Sequence, residues 1–584
     1  MRTAALLALA MLMACSHDAA PEMCPPERLS PDQVCLGAPC AAGEVRIDGV
    51  CSRVGNDRCA DGFVAEPGGG CASTLPASCD EPRVAFPGET SCHALDDCPP
   101  DRFVAVEGTA VYVDSTASEG GDGSAGKPLR TIMAAVARAR DTATPSVVVA
   151  AGTYAERLLL DTPITVRGVC SAKVVLAPPL DDLGETTVRA TADATLSGLS
   201  VLGKEHALAF TAIGGASLSL EHVRVRGHRR AIEIMRAATP RVPHLRLHDV
   251  SIGGADLAIT TQIPIEAKRL HVRQSSAAMA IQADGTIESS VIEDIVEFGI
   301  GVDSAHLDVV RSVVRRVGQG SSTGGHGIAL LPPRATGESE VTVSGCVLSE
   351  IEGVGIGVQG GRAVVRETTV RDGVMPAGGG NLAAGLGVLG HGAIEAENTT
   401  LLHCAYTGAI SNGGPITLTR VHVRDVVGDD SAIGVTLLTG DVDGAAVLRG
   451  VLVEHTRNAG LYVYGRKVTV LDSRFSDIMP RIDGKFGDGI TANDDFKFFA
   501  VLDITNVEVD GAARAALSLF GSAARVRSSR LCGAFSIDAS EQTFDKGSKP
   551  FTLTDGGGNV CGCGAPLTAC RVSQSNLEPL PPPL

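Results

Sequence analysis

Tryptophan is absent from this chain of 584 residues, and aromatic residues make up only 3% of it. A core with so few large rings has to be filled by valine, isoleucine, leucine and alanine, which suit stacked thin layers better than a thick globular interior. Basic residues are in the minority, because 50 lysines and arginines face 67 aspartates and glutamates and leave a formal net charge of −17. Binding a polyanion needs clustered cations, and the arginines are scattered along the chain, so the composition excludes a nucleic-acid partner.

The N-terminus has the pattern of an export signal. Arg2 supplies a positive charge, and residues 3–13 are almost wholly apolar but too few to span a bilayer as a mature helix. The next cysteine completes Leu12-Met13-Ala14-Cys15, which resembles the lipobox of bacterial lipoproteins, although Met13 departs slightly from the usual pattern. A plain secretory signal cleaved elsewhere is the alternative.

The lipobox resemblance implies a division of the first residues. Residues 1–14 would be removed as a signal peptide, Cys15 would carry the lipid, and residues 15–23 would form a tether. Ser16 after the cysteine implies the outer membrane. We therefore expect an exported protein anchored by lipid in the outer membrane and facing the periplasm or the cell surface.

Cysteine usage fits an oxidising compartment. Seventeen cysteines less Cys15 leave sixteen, an even number, and disulfides are the expected state. Within a Cys-rich module at 24–100, runs such as EVRIDGVC and FVAEPGGGC predict small hairpins stapled by disulfides. A zinc array is disfavoured, because paired CxxC motifs with matched histidines are missing. The nine cysteines of this module cannot all pair internally, so one is free or reaches outward to a partner such as Cys170.

A repeated unit organises the rest of the chain. VIEDIVEFGIGV at Val291–Val302 recurs as VLSEIEGVGIGV at Val347–Val358, and both copies read as short strands joined by glycine bends. Similar apolar anchors recur from residue 164 onward at spacings of roughly 20 to 33 residues, the length of one solenoid coil with variable loops. A leucine-rich repeat is excluded, because its consensus leucines and its asparagine are absent.

The segment that precedes the repeats, AVYVDSTASEGGDGSAGKPLRTIMAAVARA followed by SVVVAAGTYAERLLL, is similar to the entry segment of bacterial proteins of the pectin-lyase-like superfamily. The matching residues are Tyr112, Asp114, Pro128, Thr131, Ile132, Ala135, Gly152, Thr153, Tyr154 and Glu156. The resemblance implies an all-β, right-handed parallel β-helix at 108–530 with an N-terminal capping helix. The amino-acid pattern also supports a capping helix, because Ile132, Val136 and Ala139 share one helical face that can cover the apolar end of a solenoid. Asparagine is too scarce for an internal asparagine ladder to run far.

The C-terminal part of the chain is rich in cysteine and glycine, unlike the coils. Four cysteines, at 532, 561, 563 and 570, cluster in a glycine-rich setting and predict a disulfide-stapled cap at 531–572 rather than a redox or metal site. The proline-rich tail at 573–584 is expected to be disordered.

Loop length points to one edge of the solenoid. Insertions precede Gly327-Ile328, Gly385-Leu386, Ile433 and Gly489-Ile490, all at the same phase of the coil, so they should stack on one edge about 10 Å apart. Insertions on one edge commonly form a binding face. The predicted binding residues are Asp429, Asp430, Tyr462, Tyr464, Lys485 and Asn493, and His326, Arg334, Asn381, His391, Phe498 and Phe499 lie near them.

Catalysis is the sharper hypothesis for this edge, with Asp488, Asp494, Asp495 and His326 as candidate catalytic residues. Asp494-Asp495 with Gly325-His326-Gly327 resembles part of the polygalacturonase signature. The order of these motifs is reversed, however, and the other motifs of that family are missing. Asp441 and Asp443 are candidate calcium ligands, although the closing glutamate of an EF-hand does not follow them.

Three functions remain open from the sequence. The leading hypothesis is an envelope or surface lipoprotein whose loop-rich edge binds extracellular polysaccharide or another envelope component. The alternatives are a divergent polysaccharide lyase or glycoside hydrolase of the same fold, and a structural adhesin without a discrete ligand. No cofactor is expected apart from Ca²⁺ at the candidate ligands Asp441 and Asp443.

Overall fold

The computed structural model describes residues 24–178, 186–203, 208–319, 321, 324–332, 338–376, 383–426, 428, 432–439, 444–495, 497–544, 547–564 and 569–579. Within these ranges, no helix is long and apolar enough to cross a membrane. Asp429, Asp430, Asp441, Asp443, Arg334, Asn381 and Cys15 lie outside the described residues.

From residue 111 onward the chain winds into coils that add parallel strands to three sheets. Equivalent residues of successive coils pair in register: Leu196 and Leu220 in sheet 1, Val313 and Val347 in sheet 2. The predicted all-β parallel β-helix is confirmed. Parallel pairing suits these sequences, because valine, isoleucine, leucine and alanine fill the inner faces of the strands.

The strands are listed by sheet. Those in sheet 1 alone are Val111–Val113, Ser146–Val149, Ile164–Gly168, Gly285–Glu288, His306–Val310, Glu340–Ser344, Arg362–Arg366, Ala393–Glu397, Ile416–Thr419, Ala446–Arg449, Lys467–Leu471, Val501–Thr505, Ala523–Arg527 and Thr552–Asp555. Those in sheet 2 alone are Gly152–Tyr154, Val174–Leu176, Val313–Val317, Val347–Ile351, Thr369–Gly373, Thr400–Cys404, His422–Arg424, Leu452–Glu454, Arg474–Ile478 and Val560–Cys561.

Sheet 3 contains the strands that follow the long loops predicted to form a binding edge. Its own strands are Leu158–Leu160, Val188–Ala190, Leu208–Ala212, Arg230–Ile234, Leu257–Thr261, Gly325–Leu330, Gly353–Val358, Ala384–Leu389, Thr407–Asn412, Ile433–Leu438, Ala459–Tyr464, Asp488–Asn493 and Val572–Ser573. Longer strands bend through a corner and serve two or three sheets: Ala194–Leu202, Leu218–Arg226, Leu245–Gly253, Ile265–Ile281, Val291–Val302, Glu508–Phe520 and Arg530–Ser540.

The two copies of the repeated unit are two coils apart. Ile300 of the first copy and Ile356 of the second both align with Ile328 of the coil between them, and all three are buried. The core is thus a set of aliphatic stacks along the solenoid axis, as the low aromatic content predicts.

Hydroxyl and thiol side chains form a ladder inside the corner between sheets 1 and 2. The amide of Leu270 donates to Ser290 Oγ at 3.1 Å, and the amide of Ser290 donates to Ser312 Oγ at 3.1 Å. The amide of Ser312 donates to Cys346 Sγ at 3.4 Å, and the amide of Cys346 donates to Thr368 Oγ1 at 3.4 Å. Serine, threonine and cysteine therefore satisfy the corner amides that an asparagine ladder would satisfy.

The expectation that all sixteen cysteines form disulfides is wrong for two of them. Cys346 and Cys404 are free and buried in the core, where Cys346 is one rung of the ladder. Burial raises the pKa of both thiols to about 12, which keeps them protonated and unreactive.

Helix α1, Ile132–Asp141, packs on the first strands of the solenoid through Ile132, Ala135, Val136 and Ala139. The predicted capping helix is confirmed. Its N-terminus is fixed by Glu156, whose carboxylate accepts hydrogen bonds from the amides of Ile132 and Met133 at 2.7 and 2.8 Å.

The Cys-rich region forms two hairpins after a short 3₁₀ helix, Pro26–Arg28: β1 (Glu44–Ile47) with β2 (Val50–Arg53), and β3 (Phe63–Ala65) with β4 (Cys71–Ser73). The predicted hairpins are confirmed. Four local disulfides join Cys24–Cys35, Cys40–Cys51, Cys59–Cys71 and Cys79–Cys92. The ninth cysteine, Cys98, reaches outward to Cys170, as the odd number predicts.

This region lies along the solenoid as a strap, defined as residues 24–98, on the outer face of sheet 2. It runs opposite to the direction in which the coils accumulate. Arg28 pairs with Glu508 near the last coils, the amide of Asn56 donates to Thr400 Oγ1 at 2.8 Å, and Asp96 accepts from Ser171 beside the first coils. The strap thus braces the whole length of sheet 2.

An arginine column on sheet 2 holds the strap. Arg226, Arg273, Arg315, Arg371 and Arg424 share one register position on every second coil. Arg273, Arg315 and Arg424 donate to the strap carbonyls of Cys79, Pro76 and Gly68 at 2.8 to 3.1 Å. Arg226 and Arg371 pair with the strap residues Glu81 and Glu66.

The C-terminal cysteines pair as Cys532–Cys563 and Cys561–Cys570. The loop that Cys532–Cys563 closes contains an antiparallel hairpin of Gln542–Phe544 and Gly547–Lys549. Beyond the last disulfide, Val572–Ser573 adds the final strand of sheet 3, and the amide of Ser575 donates to Asp538 Oδ1 at 2.9 Å. The segment expected to be disordered therefore begins with residues that contact the sheet.

Candidate functional site

The long loops all precede strands of sheet 3, so the inferred common edge is confirmed. The strands that follow them, at Gly325, Ala384, Ile433 and Asp488, alternate with strands that follow short connections. The outer face of sheet 3 between Gly325–Leu330 and Asp488–Asn493 is called the sheet 3 groove below.

Across its first four strands, the groove holds a narrow apolar crevice. His326, Val354 and Ile410 line a crevice of about 30 Å³ whose floor includes Gly357 and Gly387. Burial lowers the pKa of His326 and keeps its imidazole neutral. This space is the size of one water molecule and does not hold a sugar.

Asp488 is enclosed in an ion-pair network. Its side chain has no solvent exposure, and it accepts from Arg514 Nε at 2.8 Å and from Ser518 Oγ at 2.8 Å. Arg514 also pairs with Asp538, and Phe486 packs near its guanidinium at 5.7 Å. Burial raises the pKa of Asp488, while Arg514 opposes that shift. The arrangement holds strands together and offers no carboxylate to the groove surface.

Asp494 is enclosed in the same way at the other end of this strand. The amide of Ala500 donates to Asp494 Oδ1 at 2.6 Å, and Lys549 Nζ lies 2.7 Å from Oδ2. Burial raises the pKa of Asp494 against the opposing effect of Lys549. Asp495 is half-buried, and its carbonyl accepts from Lys549 at 2.6 Å.

His326, Asp488 and the adjacent residues Asp494 and Asp495 lie at three separate places on the groove. His326 and Asp488 lie at one register position but six strands apart, roughly 29 Å at the spacing of parallel strands. Asp488 and Asp494 are separated by six residues of extended chain, roughly 20 Å. Glycosidase carboxyl groups lie within about 10 Å of each other, so Asp488 and Asp494 do not form such a pair.

The predicted binding residues divide into buried and exposed groups. Tyr462 and Asn493 have no solvent exposure, and Asn493 Nδ2 donates to the Tyr462 hydroxyl at 3.2 Å. Burial raises the pKa of Tyr462. Tyr464 is half-buried at the edge of the groove, and Lys485 is exposed at the tip of the loop that precedes Asp488.

Exposed rings gather beside Tyr464. Phe498 and Phe499 are 43% and 59% exposed and, with Tyr464, form what we call the aromatic rim. Lys549 Nζ lies 4.0 Å from the centroid of the Phe499 ring. Burial and the charges of Asp495 and Asp494 raise the pKa of Tyr464, so its hydroxyl stays protonated and can donate.

Gly465 makes the rim possible. Its φ of +60° is in the left-handed region, and a Cβ built there would lie 2.8 Å from Asp495 Cβ and 3.4 Å from Phe498 Cβ. Only glycine lets the turn after Tyr464 approach the turn that carries Phe498 this closely.

The sequence did not single out Arg514 or Lys549, which fix Asp488 and Asp494. Each comes from a later part of the chain, and Lys549 belongs to a hairpin inside the loop that the Cys532–Cys563 disulfide closes. The cluster of aromatic residues in a chain poor in rings was the available signal for the rim.

No protein-family model and no curated protein matches the chain. Among solved structures, the catalytic unit of a thermostable GH87 alpha-1,3-glucanase from Streptomyces thermodiastaticus aligns at 14% identity and a TM-score of 0.30, over 82% of this chain and 73% of that one. The A-module of mannuronan C-5 epimerase AlgE4 from Azotobacter vinelandii aligns at 15% identity and a TM-score of 0.25, over 80% of this chain and all of that one. At these TM-scores the similarity carries no inference about activity.

Proposed function

We propose that this protein is an exported β-helix, anchored in the outer membrane through Cys15, that binds a neutral extracellular polysaccharide at the aromatic rim. The observation that carries the proposal is the exposure of the consecutive residues Phe498 and Phe499 in a chain whose aromatic content is only 3%. Exposed rings are costly in water and mark contact sites where they cluster.

The chemistry of the rim suits a sugar. A pyranose ring presents an apolar C–H face that packs on an aromatic ring, and its hydroxyl groups need donors and acceptors at the ring edge. Tyr464, Asp495 and Lys497 border the two phenylalanines and carry such groups. The rim is an open surface, so it fits part of a long polymer better than an enclosed small molecule.

Charge favours a neutral polymer. The formal net charge of −17 repels polyanions at long range, and Lys549 is already engaged by Asp494 and by the carbonyl of Asp495. Binding rather than cleavage is proposed, because Asp488 and Asp494 are closed to solvent and held by Arg514 and Lys549.

The test is binding of the purified protein to a panel of neutral and acidic polysaccharides, by affinity electrophoresis and calorimetry. We expect retention by a neutral glucan or related polymer, and loss of at least about tenfold in affinity for Phe498→Ala with Phe499→Ala, since full burial of one phenylalanine side chain is worth roughly 1.5–3 kcal/mol.

The matched control is Met235→Ala with Val242→Ala, which removes two large apolar side chains that are 51% and 60% exposed elsewhere on the solenoid. This variant should bind like the wild type. Equal binding by the rim variant, or binding of neutral phosphatidylcholine vesicles in place of every polysaccharide, would contradict the proposal.

A further inference from the structure

A second group of chemically capable side chains lies far from the aromatic rim, near the first coils. His222 belongs to Leu218–Arg226, and His248 and Asp249 belong to Leu245–Gly253 of the next coil. His222 and Asp249 occupy the same corner between sheets 1 and 2, with φ of 52° and 50°. Equivalent corner residues of adjacent coils stack about 4.8 Å apart, which brings the three side chains together.

The three potential ligand atoms converge on one point. His248 Nδ1 lies 3.0 Å from Asp249 Oδ2, and His222 Nε2 lies 3.7 Å from the same oxygen. All three atoms are within 4.8 Å of one another. A tetrahedral zinc ion with bonds of about 2.0–2.2 Å holds its ligand atoms roughly 3.3 Å apart, so small side-chain rotations bring these atoms to bonding distance.

The carboxylate is already oriented for this role. Arg269 Nε donates to Asp249 Oδ1 at 2.6 Å and leaves Oδ2 directed at the histidines. Arg269 is itself held by Glu89 of the strap at 3.0 Å and by the Phe86 ring at 4.2 Å. An outer group that fixes a ligand's orientation is typical of metal sites, and Glu89 offsets the positive charge of Arg269.

The site is open to solvent on one side. The side chains of His222 and His248 are 41% and 49% exposed, whereas that of Asp249 is 9% exposed. His222 and Asp249 also line a crevice of about 560 Å³ between the strap and the solenoid, along with Asp96, Asp97 and Glu221. This anionic crevice attracts cations and leaves coordination positions free for water or an oxygen ligand.

We propose that His222, His248 and Asp249 bind a divalent transition-metal ion of the zinc type. Two imidazole nitrogens select such an ion over calcium or magnesium, which prefer all-oxygen ligands. The site is separate from the aromatic rim and does not depend on the proposed function.

The test is titration of the full, disulfide-intact protein, stripped with chelator, with Zn²⁺ by calorimetry and with Co²⁺ by visible absorption. We expect one ion per chain, and Co²⁺ bands typical of a low coordination number with nitrogen ligands. His222→Asn, His248→Ala and Asp249→Asn should each weaken binding by at least about tenfold. Asparagine is chosen at position 222 because it tolerates the left-handed backbone there.

The control is His403→Asn with His455→Asn at another corner of the solenoid. These histidines flank Asp425 from opposite sides, at 3.5 and 3.8 Å from different oxygens, so they do not converge as the proposed site does. This variant should bind the ion like the wild type. Absence of Zn²⁺ binding by the wild type, or full binding by the folded His222→Asn, His248→Ala double variant, would overturn the proposal.

Discussion

Single residues at the corners of the coils accept the hydrogen bonds of backbone amides that have no partner in a sheet. Ser290, Ser312, Thr368, Ser473 and Ser529 are almost completely buried, yet each is polar. In several coils the turn leaves an amide without a sheet partner, and a short side-chain oxygen of the next coil accepts from it. Serine and threonine are short enough to do this inside the aliphatic core.

Ser312→Ala tests this arrangement. Its hydroxyl accepts from the Ser290 amide at 3.1 Å, and alanine would leave that buried amide unsatisfied, at a cost of about 1–3 kcal/mol. We expect a lower denaturant midpoint and faster hydrogen exchange at the Ser290 amide. Ser219→Ala, on the half-buried outer face of sheet 1, should change stability by less than about 0.5 kcal/mol. An unchanged exchange rate at Ser290 would contradict the ladder.

At the scale of elements, the strap and sheet 2 interact mainly through charge and backbone carbonyls. Glu293 lies in the register column of the arginines, between Arg273 and Arg315. Arg315 donates both to Glu293 and to the strap carbonyl of Pro76, and His271 Nε2 lies 2.8 Å from the other oxygen of Glu293. Glu293 therefore orients the groups that hold this part of the strap.

This predicts a loss of stability in acid. Burial raises the pKa of Glu293, but His271 and Arg315 outweigh burial and bring it down from 4.5 to about 2. Because the folded pKa lies below the unfolded one, the stabilisation is present above pH 4.5 and is lost as the pH falls towards 2. The linkage is worth about 3 kcal/mol.

Denaturant titrations from pH 6 to pH 2 should show this loss. Glu293→Gln should lower stability at pH 6 and flatten the profile below about pH 4.5. Glu266→Gln, which changes an exposed carboxylate of sheet 1, should keep the wild-type profile. A Glu293→Gln profile that is parallel to that of the wild type would exclude this role for Glu293.

At the scale of the whole molecule, the direction of the strap determines which end of the solenoid lies near the N-terminus. The strap starts beside Glu508, close to the last coils, and ends at the Cys98–Cys170 disulfide beside the first coils. The eight residues 16–23 between Cys15 and Cys24 reach at most about 29 Å when extended. A lipid on Cys15 would therefore hold the C-terminal coils near the membrane and direct helix α1 away from it.

Fluorescent labels on engineered cysteines can test this orientation. In proteoliposomes, a label at Ser548 should transfer energy to a lipid-surface dye more efficiently than a label at Arg138 on α1. Cys15→Ser should abolish both membrane fractionation and the transfer. Equal transfer from both labels, or membrane attachment of Cys15→Ser, would contradict the expected anchor and orientation.

The sequence by itself determined the coil, because the patterns that specify each strand and turn are local in the sequence. Alternating apolar residues and glycine bends give the strands, the 131–139 segment gives the capping helix, and loop lengths give the common edge of sheet 3. The hairpins of the strap are equally local, since each is closed by its own disulfide.

Only the tertiary structure decided which side chains of different coils are in contact. The scattered arginines become a column because Arg273, Arg315 and Arg371 are spaced by the lengths of two coils, and coil length varies with each loop. Asp488 is closed off by Arg514 from the next coil, and His222 meets Asp249 in the same way. Such contacts depend on register between coils, which no local pattern specifies when loops of different length separate the partners.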